Sequence, residues 1–119
     1  MRTPAPKILV VDDEVLIALE IAHAVKDLGF EVVGPALRLS DALEIAKTEE
    51  FDAACLDVNL GRGQTSEPIA RALTDRGIPY VFISAYSSNQ IGFARSDDTV
   101  VSKPVSNFAL RKALMQIAA

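Results

Sequence analysis

Lys7-Ile8-Leu9-Val10-Val11-Asp12-Asp13-Glu14 is the stretch on which the reading of this chain turns. Its apolar run does not alternate with polar residues and is rich in β-branched side chains, the profile of a strand buried on both faces. Such strands belong to parallel sheets with helices packed above and below. The run stops on two adjacent carboxylates. Over residues 14–28, Ile17, Ile21, Val25 and Leu28 recur at helical spacing. Gly29 supplies a left-handed stop and Lys26 places a cation in the last turn, where it suits the helix dipole.

The same alternation continues outward. Residues 30–33 read as a second strand closed by Gly34-Pro35, and Ser40 fits the N-cap of a helix running to Thr48. Residues 53–58 form a third strand, and Gly61-Arg62-Gly63 reads as a flexible loop. Glu67-Pro68 opens a helix to Arg76 before Gly77. Tyr80-Val81-Phe82-Ile83-Ser84 is an aromatic and β-branched strand. Residues 87–95 read as a short helix interrupted by Gly92, Thr99-Val100-Val101 as a fifth strand, and Pro104 leads into a last helix carrying Phe108, Leu110, Leu114 and Ile117. The order is (βα)5, which predicts an α/β fold with a doubly wound five-stranded parallel sheet. At 119 residues the chain suits one compact domain spanning 1–119.

Composition narrows the function classes. A net charge of −4 without a basic run argues against nucleic acid or an anionic membrane as the main ligand. No apolar run approaches the roughly 20 residues of a membrane span, and no secretory leader pattern opens the chain. The single Cys55 excludes an intramolecular disulfide, and its apolar setting marks a small core residue. The expected location is cytoplasmic.

In an open parallel sheet, ligands bind beyond the carboxyl ends of the strands. Strand one ends in Asp12-Asp13, strand three in Asp57, strand four in Ser84, and Lys103-Pro104 follows strand five. Carboxylates gathered there repel one another unless a cation intervenes. Mg²⁺ is the natural candidate, because it takes oxygen ligands from one or two carboxylates, phosphate and water. One carboxylate can instead attack phosphorus and form an acyl phosphate, with Mg²⁺, Lys103 and the Ser84 hydroxyl meeting the charge of the transferred oxygens.

Val10-Val11-Asp12-Asp13-Glu14, Leu56-Asp57-Val58-Asn59-Leu60, Ile83-Ser84-Ala85 and Ser102-Lys103-Pro104 together resemble the receiver domain of two-component response regulators, in order and spacing, across essentially the whole chain. The resemblance implies a flavodoxin-like receiver fold and a phosphorelay function. Asp57 would be the phosphoacceptor. Asp13 and Asp57 would ligate Mg²⁺ directly, helped by the Asn59 backbone carbonyl, with Asp12 acting largely through water. Ser84 and Lys103 would engage the phosphoryl oxygens, and Lys103–Pro104 would be a cis peptide. A histidine kinase or histidine phosphotransferase would be the donor, and a downstream protein the target. Most receivers carry Tyr or Phe three residues before the Lys, where this chain has Val100. Instead Tyr86 follows Ser84 by two residues, in partial likeness to the single-domain regulators with a Pro-Phe-x-Phe-Ala-Thr-Gly-Tyr signature; Tyr80, Ile83, Ser84 and Ala85 depart from it. Ser84 and Tyr86 are therefore the expected switch residues.

Asp12 or Asp13 also suits the start of the first helix, Asn59 favours a turn, and His23 and Arg62 read as surface residues. The leading function is a phosphorylation-switched binding module without an attached output domain, not an enzyme. The same residues would serve a phosphate sink for a shared kinase. A Mg²⁺-dependent phosphohydrolase with an Asp nucleophile usually has a second Asp two residues on, where Asn59 stands. A receiver that binds without phosphorylation would not need the intact acidic set. No Gly-x-Gly-x-x-Gly follows the first strand, which excludes a dinucleotide fold.

Overall fold

A computed structural model of the chain describes residues 4–85, 91–95 and 98–118. The elements in chain order are β1 (Lys7–Val11), α1 (Val15–Asp27), β2 (Glu31–Ala36), α2 (Leu39–Thr48), β3 (Ala53–Asp57), β4 (Asn59–Gly61), β5 (Gln64–Thr65), α3 (Glu67–Arg76), β6 (Tyr80–Ser84), β7 (Val100–Ser102) and α4 (Asn107–Ala118). Five strands form one parallel sheet in the order β2-β1-β3-β6-β7, the doubly wound arrangement of a flavodoxin-like receiver. Among the described residues no helix is long and apolar enough to cross a membrane.

The unalternating strands follow from having two cores. Leu9, Val11, Ala54, Leu56 and Phe82 point to one side, against Ala42 and Ala46 of α2 and Ile69 and Leu73 of α3. Ile8, Val10, Cys55, Val81 and Ile83 point to the other, against Ile21 and Val25 of α1 and Leu110 and Leu114 of α4. Each fully buried aliphatic side chain contributes about 1.5–3 kcal/mol by leaving water, so both faces of every central strand must be apolar for the sheet to persist.

Several boundaries differ from the sequence reading. β2 does not close at Gly34-Pro35 but runs through it to Ala36. The three residues of β1 from Leu9 to Val11 stand against four of β2, from Val33 to Ala36. Gly34 absorbs the extra residue at φ +92, and a β carbon there would lie 2.7 Å from the Ala36 nitrogen and 3.2 Å from the Val10 carbonyl oxygen. Pro35 is tolerated because β2 is an edge strand with no further ladder to feed. Ser40 lies inside α2, not at its cap: the Ala42 N–H donates to the Arg38 carbonyl at 3.0 Å, so the cap is Arg38, the helix opens two residues earlier and packs Leu39 on the core. Strand three ends at Asp57 instead of Val58, and strand five spans Val100–Ser102.

The loop expected at Gly61-Arg62-Gly63 is an ordered antiparallel hairpin of β4 and β5. Gly61, Arg62 and Gly63 turn it with φ values of +80, +54 and +74. Of the helix expected over 87–95, residues 91–95 are described and are not helical. Residues 86–90 lie outside the described residues.

Candidate functional site

The parallel register gathers the polar strand ends. Val11 is level with Leu56, so Asp12 leaves β1 beside Asp57 at the end of β3. Asp57 is level with Ile83, which sets Ser84 one step further along β6, and Ser84 is level with Ser102, just before Lys103. One backbone bond ties this corner together, the Lys103 N–H donating to the Ser84 carbonyl at 2.9 Å. The Lys103–Pro104 peptide is cis.

The side chains converge accordingly. Lys103 Nζ donates to Asp57 Oδ1 at 3.0 Å and to Asp12 Oδ2 at 3.2 Å. The other Asp12 oxygen accepts the Glu14 N–H at 3.0 Å, so Asp12 closes a turn leading into α1 and pairs with Lys103 at once. Carboxylate oxygens of Asp12, Asp13 and Asp57 lie within 4.8 Å of one another. Asp12 is fully buried and Asp57 is 7 % exposed, while Asp13 opens to solvent.

Three ionised carboxylates against one ammonium leave two uncompensated negative charges in a poorly hydrated corner. The consequence falls on Asp57, whose pKa is pushed up to about 7, first by burial and then by the charge of Asp12, against the hydrogen bond and charge of Lys103. Burial opposes the charge of Lys103, but the bond and charge of Asp57, reinforced by Asp12, outweigh it and raise its pKa. A small divalent cation with oxygen ligands answers this deficit in both charge and donor type. The residues present fit Mg²⁺.

The remaining candidates fall in different places. Ser84 is buried at the rim of the acidic corner. Asn59 begins the hairpin, exposed, two residues beyond Asp57. Val100 is half-buried opposite Phe82. Tyr86 lies outside the described residues. His23 is surface-exposed, 3.4 Å from Asp27 in an i,i+4 pair on α1. Cys55 is buried within the sheet, and burial pushes its thiol up to about 12, which leaves it unreactive.

Two residues here carry no functional mark in the local sequence. Phe93 lies edge-on to Phe82, with ring centroids 5.5 Å apart, and holds the segment 91–95 on the sheet. Nothing in the local pattern signals that contact. Gly61 stands against Asp13, and only its place in a doubled glycine turn could have marked it.

A profile of the response regulator receiver domain matches residues 8–115. The chain is 25 % identical over 104 residues to the transcriptional regulatory protein PdtaR of Mycobacterium tuberculosis, covering 87 % of this chain and 51 % of that protein. It is 29 % identical over 103 residues to the phyllosphere-induced regulator PhyR of Methylorubrum extorquens, covering 84 % of this chain and 39 % of that one. The chain thus spans about half or less of the curated relatives it matches. The solution structure of the BeF3-activated conformation of SdrG from Pseudomonas melonis Fr1 superposes with a TM-score of 0.81 at 34 % identity, covering 99 % of this chain and 100 % of that one.

Proposed function

The chain belongs to the response regulator receiver domain family, and from that premise we propose that it receives a phosphoryl group on Asp57 from a histidine kinase or histidine phosphotransferase. The observation that carries the reading is Lys103 Nζ bridging Asp12 and Asp57 in an acidic corner that still lacks two positive charges. Receivers are signalling modules and not stand-alone catalysts, which sets the phosphohydrolase reading aside.

An ionised Asp57 oxygen attacks phosphorus as the bond from phosphorus to the donor's leaving atom breaks, and the donor keeps the electron pair and takes up a proton. Asp57 keeps its place through the Lys103 bond, and Lys103 meets the charge of the transferred oxygens. Asp12, Asp13 and Asp57, with the Asn59 carbonyl, would hold Mg²⁺, which supplies the remaining positive charge and favours the ionised form of Asp57. The Ser84 hydroxyl, buried at the same rim, would close on the phosphoryl group and pass the change to Tyr86. The domain would span the whole of 1–119 and act in the cytoplasm, where the nucleotide that charges a histidine kinase is found.

Incubation with Mg²⁺ and acetyl phosphate should add one alkali- and hydroxylamine-labile phosphoryl group, seen by intact mass. Asp57→Asn should abolish it. Since SdrG has a BeF3-activated conformation, beryllium fluoride with Mg²⁺ should shift the same amide signals as the phosphodonor. Labelling that persists in Asp57→Asn overturns the assignment.

A further inference from the structure

Two of the three carboxylates in the acidic corner are held by donors: Lys103 grips Asp12 and Asp57, and the Glu14 N–H fixes Asp12 a second time. Asp13 is the most open of the three, yet a direct metal ligand must hold its oxygen in place. What stands against it is the hairpin. β4 and β5 fold back from the end of β3, tied at the base by the Ser66 N–H donating to the Val58 carbonyl at 2.9 Å. This brings the Gly61 backbone over the acidic corner at φ +80, and a β carbon at Gly61 would meet Asp13 Oδ2 at 3.2 Å. Among the described residues, chain neighbours aside, Asp13 Oδ2 is the only atom such a β carbon would approach within 4 Å. Two residues on, Gly63 has nearly the same backbone, φ +74, but a β carbon there meets nothing within 4 Å among the described residues beyond its chain neighbours.

We propose that Gly61 is a positioning residue for the metal site: its bare α carbon lets the hairpin close on the Asp13 carboxylate and hold that oxygen where a small octahedral cation needs it. The inference rests on the Mg²⁺ reading above and adds a residue to it. A contact of 3.2 Å with the end of a side chain is relieved when that side chain moves by a few tenths of an ångström. The fold therefore tolerates a β carbon at 61, and the displacement is felt at the ligand oxygen. Mg²⁺ demands near-ideal octahedral geometry at about 2.0–2.1 Å, whereas Ca²⁺ accepts irregular shells at about 2.3–2.6 Å. Gly61 thus favours the smaller ion.

Gly61→Ala and Gly63→Ala separate this contact from backbone strain, since both place alanine in the left-handed region. Titration with Mg²⁺ and Ca²⁺, followed by amide signals, should show Gly61→Ala losing about tenfold in Mg²⁺ affinity, or roughly 1.4 kcal/mol, with a smaller loss for Ca²⁺. Gly63→Ala should stay within about twofold of wild type for both. Unfolding without metal gives a second readout: Gly61→Ala should be more harmful than Gly63→Ala in the wild-type background and equal to it in Asp13→Ala. If Gly61→Ala does not fold, Gly61→Asn carries the same β carbon on a residue that tolerates positive φ. Equal Mg²⁺ affinities for the position-61 and position-63 variants, beside a wild type that binds Mg²⁺, overturn the role of Gly61 alone. A wild type that does not respond to Mg²⁺ removes the metal reading and this inference with it.

Discussion

At the scale of single residues, Asp57 is pulled two ways: it must be ionised to attack phosphorus, yet burial and Asp12 favour its protonated form. A carboxyl whose folded pKa lies above its ordinary value binds its proton more tightly when folded. Its stabilising contribution is complete below the ordinary carboxylate pKa and disappears as pH rises through about 7. The metal-free protein should therefore lose stability between about pH 4 and pH 7. Lys103, raised in its own range, titrates well above that window. Asp57→Asn should flatten the slope in urea unfolding. At pH 8 without metal it should exceed wild type by at least about 1.4 kcal/mol, the worth of one pKa unit. Saturating Mg²⁺ should flatten the wild-type slope too, because the cation takes over the charge. A wild-type slope that survives unchanged in Asp57→Asn would place the pH response on another group.

At the scale of elements, the question is which piece carries the signal away. Val100 sits opposite Phe82 on β6, and the space around Phe82 is filled by Tyr80 at 5.3 Å and Phe93 at 5.5 Å between ring centroids. Phe93 therefore couples the segment 91–95 to the strand that ends in Ser84, and the chain between them carries Tyr86. A change of a few kcal/mol between two arrangements of that connection suffices to switch a partner's affinity. Tyr86→Ala should leave phosphorylation of Asp57 intact while reducing the amide shifts that follow it in residues 91–95, β7 and α4. Shifts of undiminished size in Tyr86→Ala would remove Tyr86 from the switch.

At the scale of the whole molecule, metal binding and folding are linked, because the three carboxylates come from the turn after β1 and the end of β3 and meet only in the folded chain. A cation bound only by the native state at 100 times its dissociation constant adds about 2.7 kcal/mol. For a domain of this size that is a rise of roughly 10 °C in melting temperature. Asp13→Ala should remove most of the rise while making the metal-free protein no less stable, since it relieves repulsion among the acids. Calorimetry with and without Mg²⁺ checks both, and an equal metal response in wild type and Asp13→Ala would move the site elsewhere.

The five strands of the sheet, the helices α1 to α4, the double burial of the strands and the polar residues at their ends are legible in the sequence alone, whereas the hairpin of β4 and β5 and the non-helical course of residues 91–95 are not. The legible features are local properties: an unbroken apolar run such as Ile8 to Val11 allows few alternatives, and a polar residue ending it is visible without knowing its neighbours. The departures have one physical source. β2 runs past Gly34-Pro35 because its neighbour Val10 and its edge position permit a bulge there. α2 starts at Leu39 because the core takes that side chain. The glycine-rich loop is a hairpin because it folds back on the end of β3. Only the tertiary structure brought Lys103 to Asp12 across 91 residues of chain and Gly61 to the Asp13 carboxylate. Such approaches are set by strand register and by the hand of the crossovers, which act between distant segments and leave no trace in the local pattern of either.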